Sequence, residues 1–184
     1  MREVRLFIAT SEDGFIADET GSIEWLTSLV FSEGEDGGFT SMYAQIDTII
    51  MGRKTFEHVV HLCDGHFPHQ DRKTMLVTAQ ADYPILPDVH GDQISIWSRD
   101  LVEHVRALKE EKGDAVWLCG GASVINQLMR AKLIDEVVIT VIPVQLARGV
   151  ALWDTTSKQL FHDWEIQTVR DFDNCKQSTY KRRE

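Results

Sequence analysis

Residues 117–128 read WLCGGASVINQL. An apolar run meets Gly120-Gly121, and apolar residues at helical spacing (Val124, Ile125, Leu128) resume at once, with no proline or charge between. The pattern is a buried strand passing through two glycines into a buried helix. Glycine lets a ligand approach the backbone and makes unusual φ/ψ values cheap. A helix N-terminus adds unpaired N–H groups and partial positive charge. A pyrophosphate could lie there, with Ser123 beside it. The stretch is not the GxGxxG fingerprint, since Ala122-Ser123 follows directly, so a plain tight turn is the competing reading at this point.

A second junction of similar design lies upstream. In MGRKTFE, Gly52 ends an apolar run (Ile46–Met51), and Arg53, Lys54 and Thr55 open a helix pattern that continues to Val60. Cations at a helix start oppose the dipole unless an anion joins them. Arginine offers phosphate a planar fork and lysine a point charge. The bland alternative is a solvated cationic turn. LVTAQ puts Thr78 at the end of another strand, and WSRD puts Ser98 and Arg99 at a fourth. Open α/β sheets bind ligands at the C-terminal ends of their strands, so the set points to a dinucleotide.

The rest of the chain supplies the sheet. Short apolar strands are expected at Val4–Ala9, Ile46–Met51, Thr74–Ala79, Ile94–Trp97, Ala115–Cys119 and Glu136–Ile142. Helix patterns lie between them, including one from Leu101 with Asp100 and Glu103 as a capping box. Strands alternating with helices imply a mostly parallel sheet with helices on both faces. The tail WEIQTVRDFDNCKQSTYKR alternates polar and apolar residues in two stretches and reads as an antiparallel hairpin. The class is α/β, one domain over residues 1–184.

Composition narrows the function. A net charge of −10 over 184 residues argues against nucleic acid as a partner. No apolar run is long enough to span a membrane, and MREVRLFIAT lacks a signal-peptide core. Cys63, Cys119 and Cys175 are three scattered cysteines, which suits reduced thiols in the cytoplasm. The loop HLCDGHFPHQDRK holds metal-ligand residue types without metal-motif spacing, so no metal is expected. Cys119 reads as a packed thiol rather than a nucleophile.

IATSEDGFIADETGSIEWL, MGRKTFE, LVTA, CGGASVINQL and LIDEVVITVIPVQLARGVALW follow one another in an order that resembles the dihydrofolate reductase superfamily over nearly the whole chain. The resemblance implies that superfamily's three-layer fold and NADPH as cofactor. It places Gly52, Arg53, Lys54 and Thr55 at the adenosine end, with Arg53, Lys54, Thr78 and Arg99 toward the 2′-phosphate. Gly120, Gly121, Ala122 and Ser123 would meet the pyrophosphate, with a cis bond at Gly120-Gly121. Ala9, Ile16 and Ala17 would lie beside the nicotinamide, and Trp25 and Thr140 in the substrate pocket.

Two departures bear on the reaction. True dihydrofolate reductases carry a carboxylate a few residues after the tryptophan. Here LTSLVFSEGEDGGF follows Trp25, and Asp36 is the best-spaced acid for a catalytic role relative to Gly52. Proton handling would require Asp36 to be partly buried. Pro143 and Gly149 in VIPVQLARGVALW resemble the reductase domain of bifunctional riboflavin-biosynthesis enzymes, with no zinc motif for the companion deaminase. The resemblance therefore implies a 5-amino-6-(5-phosphoribosylamino)uracil reductase. The alternatives are a dihydrofolate or pterin reductase and a non-catalytic NADPH-binding protein. Arg72 or Lys73 could meet an anionic substrate, and the superfamily's habit of pairing suggests a homodimer.

Overall fold

A computed structural model describes residues 1–28, 32–172 and 174–183. In chain order the elements are β1 (Val4–Ser11), β2 (Phe15–Asp18), a 3-10 turn (Glu24–Ser28), α1 (Phe39–Tyr43), β3 (Ile46–Gly52) and α2 (Arg53–Leu62). There follow β4 (Lys73–Val77), α3 (Pro87–His90), β5 (Ile94–Trp97), α4 (Leu101–Glu110), β6 (Ala115–Gly120) and α5 (Ala122–Arg130). The chain closes with β7 (Glu136–Ile142), β8 (Gly149–Ala151), α6 (Thr155–Phe161), β9 (Trp164–Phe172) and β10 (Cys175–Arg182).

Eight strands form one sheet in the order β5-β4-β3-β6-β1-β7-β10-β9. From β5 to β7 every pairing is parallel, and β10 joins β7 and β9 antiparallel. Residue alternation sorts the strands into two apolar layers. Val4, Leu6, Ile50, Val116, Leu118, Val137 and Ile139 pack against Leu101, Val105 and Leu108 of α4 and Val124, Ile125 and Leu128 of α5. On the opposite face Ile49, Met51, Leu76 and Trp117 meet Met42 of α1 and Phe56 of α2. Strands buried on both faces need near-continuous apolar runs, and IDTIIM and AVWLC are such runs.

Chain order reverses around β1, which lies between β6 and β7. Two connections leave neighbouring strands β3 and β6, and the crevice between them opens at the carboxyl ends of the parallel strands. The expected capping box does not form. Asp100 precedes α4 in the left-handed region (φ 53, ψ 37), its side chain makes no cap hydrogen bond, and Glu103 pairs with Arg106 instead.

The small sheet of β2 and β8 is absent from the sequence expectations. It ties the turn after β1 to the segment after β7, and Asp13 bolts the two together. Its carboxylate accepts the Ser11 hydroxyl at 2.6 Å and the N–H groups of Ala147 at 2.7 Å and Leu146 at 3.2 Å.

Candidate functional site

The two glycine junctions meet in space. A Cβ placed on Gly52 would lie 3.3 Å from Val124 Cγ2 and 3.6 Å from the Gly121 nitrogen, and one on Gly121 would lie 3.2 Å from Thr55 Oγ1. Strand β3 thus enters α2 beside the point where β6 enters α5. Gly52 is the N-cap of α2 and Gly121 that of α5, and neither end has a side-chain cap. The first N–H groups of both helices have no intrahelical acceptor, and these two ends converge. The Gly120-Gly121 peptide is cis, as the resemblance implies, and Gly120 has φ +144.

A cavity of about 1110 Å³ opens in front of these ends. Ala9, Ile16, Gly52, Arg53, Lys54, Thr55, Thr78, Arg99, Gly120, Gly121, Ala122 and Ser123 all line it. One end is polar, with Lys54, Thr78, Ser98 and Arg99. The other is largely apolar, with Phe7, Ala9, Ile16, Ile23, Leu26 and Val59. Arg53 is not free, because its guanidinium donates to Glu57 at 2.7 Å, and the Tyr83 hydroxyl donates to the same oxygen at 3.3 Å. Among the described residues, Lys54 and Arg99 line the cavity without a side-chain partner. Trp97 also lines it, stacked on His104, and its buried indole N–H lacks an acceptor. Converging helix ends, a side-chain-free glycine floor and uncommitted cations fit a group carrying several phosphates.

The proposed substrate side is arranged otherwise. Asp36 is exposed, and its carboxylate accepts the N–H groups of Gly38 at 2.8 Å and Thr40 at 2.7 Å at the start of α1. The Thr40 hydroxyl, followed by these N–H groups, holds its carboxyl below the ordinary aspartate range. The partial burial that proton handling requires is therefore missing at Asp36, which does not line the cavity. Thr140 sits opposite Ala9 in register and is buried, but its hydroxyl accepts from Gln177 Nε2 at 2.9 Å. The same amide reaches the Gly37 carbonyl at 2.7 Å. Trp25 lies in the 3-10 turn, whose neighbours Ile23 and Leu26 line the cavity. Leu29–Phe31, part of the insertion after Trp25, lies outside the described residues.

Behind Phe7 an aromatic cluster fills the same face of the sheet. Phe39 stacks on Tyr43 with centroids 5.4 Å apart and meets Trp117 edge-on at 5.6 Å, and His69 lies 5.4 Å from Trp117. Burial pushes the His69 imidazole below its ordinary range. Arg72 lies over the Tyr43 ring at 4.4 Å and pairs with Asp71, so it is engaged within this cluster. Burial also pushes the Cys119 thiol up to about 12, which matches its reading as a packed residue. Among the described residues no cluster of His, Cys, Asp or Glu could hold a metal.

Sequence reasoning missed His58, which lines the cavity one turn along α2 from Lys54 and Thr55. The i, i+4 spacing from Lys54 would have found it. Gln177 had no comparable signal, since its partners Gly37 and Thr140 are far away in sequence.

The fold and its glycine-floored cleft define a protein of the dihydrofolate reductase superfamily. More narrowly, residues 2–174 match the RibD C-terminal domain model, and the chain belongs to that family. It is 40% identical over 154 residues to uncharacterized protein YwjB of Bacillus subtilis (strain 168), covering 83% of each chain. It is 32% identical over 160 residues to uncharacterized protein YyaP of the same organism, covering 83% of this chain and 80% of that one. Among solved structures, a "Putative riboflavin biosynthesis protein" from Shewanella sp. PV-4 superposes with a TM-score of 0.82 at 26% identity, covering 99% of each chain. Dihydrofolate reductase from Enterococcus faecalis, solved with NADP(H) and RAB-propyl, shares the fold at a TM-score of 0.67 and 22% identity, over 99% of this chain and 97% of that one.

Proposed function

We propose that the chain is an NADPH-dependent reductase of the 5-amino-6-(5-phosphoribosylamino)uracil reductase type, acting as one domain over residues 1–184. The observation that carries this reading is the back-to-back contact of Gly52 and Gly121 under one cavity. Bound NADPH supplies a hydride. Gly120, Gly121, Ala122 and Ser123 hold the pyrophosphate with the N–H groups of α5. Lys54, Arg99 and Thr78 take the 2′-phosphate, and Arg53 contributes less because Glu57 shares its charge. Ala9 and Ile16 flank the nicotinamide and exclude water, and Trp25 and Thr140 border the substrate.

The deciding experiment follows oxidation of NADPH with 5-amino-6-(5-phosphoribosylamino)uracil and with dihydrofolate side by side. Turnover of the first alone supports this reading. Turnover of dihydrofolate alone favours a pterin reductase. A specific observation supports a second reading, a non-catalytic NADPH-binding protein: Asp36 is exposed and occupied at the start of α1. Tight NADPH binding with neither substrate reduced would establish that reading.

We also propose a homodimer that works in the cytoplasm. Among the described residues β9 pairs only with β10 and leaves a free edge. A bulge in β9 brings Ile166 and Val169, 57% and 48% exposed, onto one face. A second copy laid antiparallel, with Ile166 opposite Val169, also sets Glu165 opposite Arg170. The edge is thereby apolar where it meets apolar and acidic where it meets basic. Sedimentation should report a dimer that Ile166→Glu converts to a monomer, and a wild-type monomer would refute the pairing.

A further inference from the structure

Reducing a polarised double bond adds hydride to carbon and leaves an electron pair on nitrogen or oxygen, which must take a proton. A general acid for that step has to lie within hydrogen-bond reach of the substrate. The ionisable side chains among the described cavity-lining residues are Arg53, Lys54, His58, Arg99, Asp100 and Cys119. Arg53 and Lys54 open α2, and Arg99 and Asp100 precede α4, at the polar end with Thr78 and Ser98. Cys119 holds its proton to about pH 12 and is a reluctant donor at neutral pH. Asp36 does not line the cavity.

His58 stands elsewhere. It lies beyond the phosphate-facing turn of α2, beside Val59, and its Cε1 is 3.9 Å from where a Cβ on Gly21 would sit. The imidazole thus approaches the turn after β2, in the cavity that Ile16, Ala17, Ile23 and Leu26 also line. It is half-buried, so the residue keeps some contact with solvent. Imidazole is the side chain suited to exchanging a proton near neutral pH.

We infer that His58 is the acid of this site, donating a ring N–H proton to the substrate nitrogen or oxygen as hydride adds to the adjoining carbon. The inference rests on the cofactor reading above. The step balances as follows. A C–H bond forms at the substrate carbon from the nicotinamide's hydride. The C=N or C=O π pair moves to the heteroatom, which bonds the His58 proton. Solvent then reprotonates the neutral imidazole. The ionisable groups on the two elements meeting at His58 are Arg53, Lys54, Glu57 and His61 on α2, and Asp18, Glu19 and Glu24 around the turn. Asp18 is engaged by Thr20 and the Ser22 N–H, and Arg53 and Glu57 are engaged by each other.

The test uses the full chain and its His58→Gln variant. In a proton–carbon NMR titration the resonance missing from the variant is His58. Saturating NADPH should shift that resonance and its titration midpoint, while the variant keeps wild-type NADPH affinity. With whichever of 5-amino-6-(5-phosphoribosylamino)uracil and dihydrofolate is reduced, the variant should lose kcat about 100-fold or more. It should also lose the high-pH fall in rate that marks an acid. Failure of NADPH to bind the wild type would overturn the cofactor reading and the inference together. NADPH binding with an unmoved His58 resonance would overturn the inference alone, as would a variant with wild-type kcat and pH profile.

Discussion

The glycine-floored cleft and the polar contacts beside it are assembled in opposite ways. At the glycine junctions each contribution is local in sequence: a strand, a glycine, then a helix, as in MGRKT and CGGAS. Beyond the junctions the polar contacts join residues far apart in sequence, and Thr140, Gln177 and Gly37 lie outside the cavity lining. Gln177 on β10 joins Thr140 on β7 to Gly37 before α1, and His58 reaches across to the turn holding Gly21. Local assembly uses backbone N–H groups that any sequence supplies once the glycines allow approach. Distant assembly depends on individual side chains and on register. Side-chain contacts beside the cleft can therefore drift while the glycine junctions stay intact.

The comparison breaks most visibly at Trp117, which is 6% exposed, packs edge-on to Phe39, and donates its indole N–H to the Phe7 carbonyl at 3.2 Å. Trp117→Ala should lower unfolding free energy by about 3–5 kcal/mol in denaturant titration. NADPH affinity of the folded variant should stay near wild type, because the indole does not line the cavity. A large loss of affinity would show the aromatic cluster and the cleft to be coupled.

The proposed phosphate site should answer differently. Replacing Lys54 or Arg99 by Ala should weaken NADPH by about 1.5–3 kcal/mol each, without weakening NADH. Arg53→Ala should cost less, because Glu57 already shares that guanidinium. Calorimetric titration with both nucleotides checks this, and an equal loss for NADH would remove the 2′-phosphate assignment.

Gln177→Leu strands the Thr140 hydroxyl and the Gly37 carbonyl, at a cost of about 1–3 kcal/mol. Denaturant midpoints would read it, and an unchanged midpoint would show that the loop does not depend on this amide.

The smallest effect is a pH dependence. Burial, opposed by Asp71 and reinforced by Arg72, lowers the folded-state pKa of His69. The unfolded imidazole titrates near about 6.5, so the contribution is full above that pH. It is lost as pH falls through the unfolded value toward the lower folded one, because the unfolded chain takes up the proton first. Stability should fall on acidification, and His69→Phe should flatten that part of the curve.

These contrasts also mark what the sequence revealed. The parallel sheet, its helices and the tail hairpin are legible, because strand–glycine–helix junctions announce themselves within a few residues, and the twelve residues expected at a cofactor all line one cavity. The short β2 and β8 were not, since a four-residue and a three-residue strand carry too little periodicity and are held by a carboxylate, Asp13, that acts across more than a hundred residues. The spacing of Asp36 to Gly52 does not report burial, and a glycine-rich segment lets its carboxylate engage nearby N–H groups. His58 stands one turn beyond the cations that mark the start of α2, so the junction motif carries no signal for it.

NADPH titration of the wild-type chain, followed by calorimetry against an NADH control, tests the cleft most directly. One NADPH per chain, bound more tightly than NADH, is the expected result. Absence of binding at millimolar NADPH would contradict the assignment of the glycine-floored cleft as a dinucleotide site.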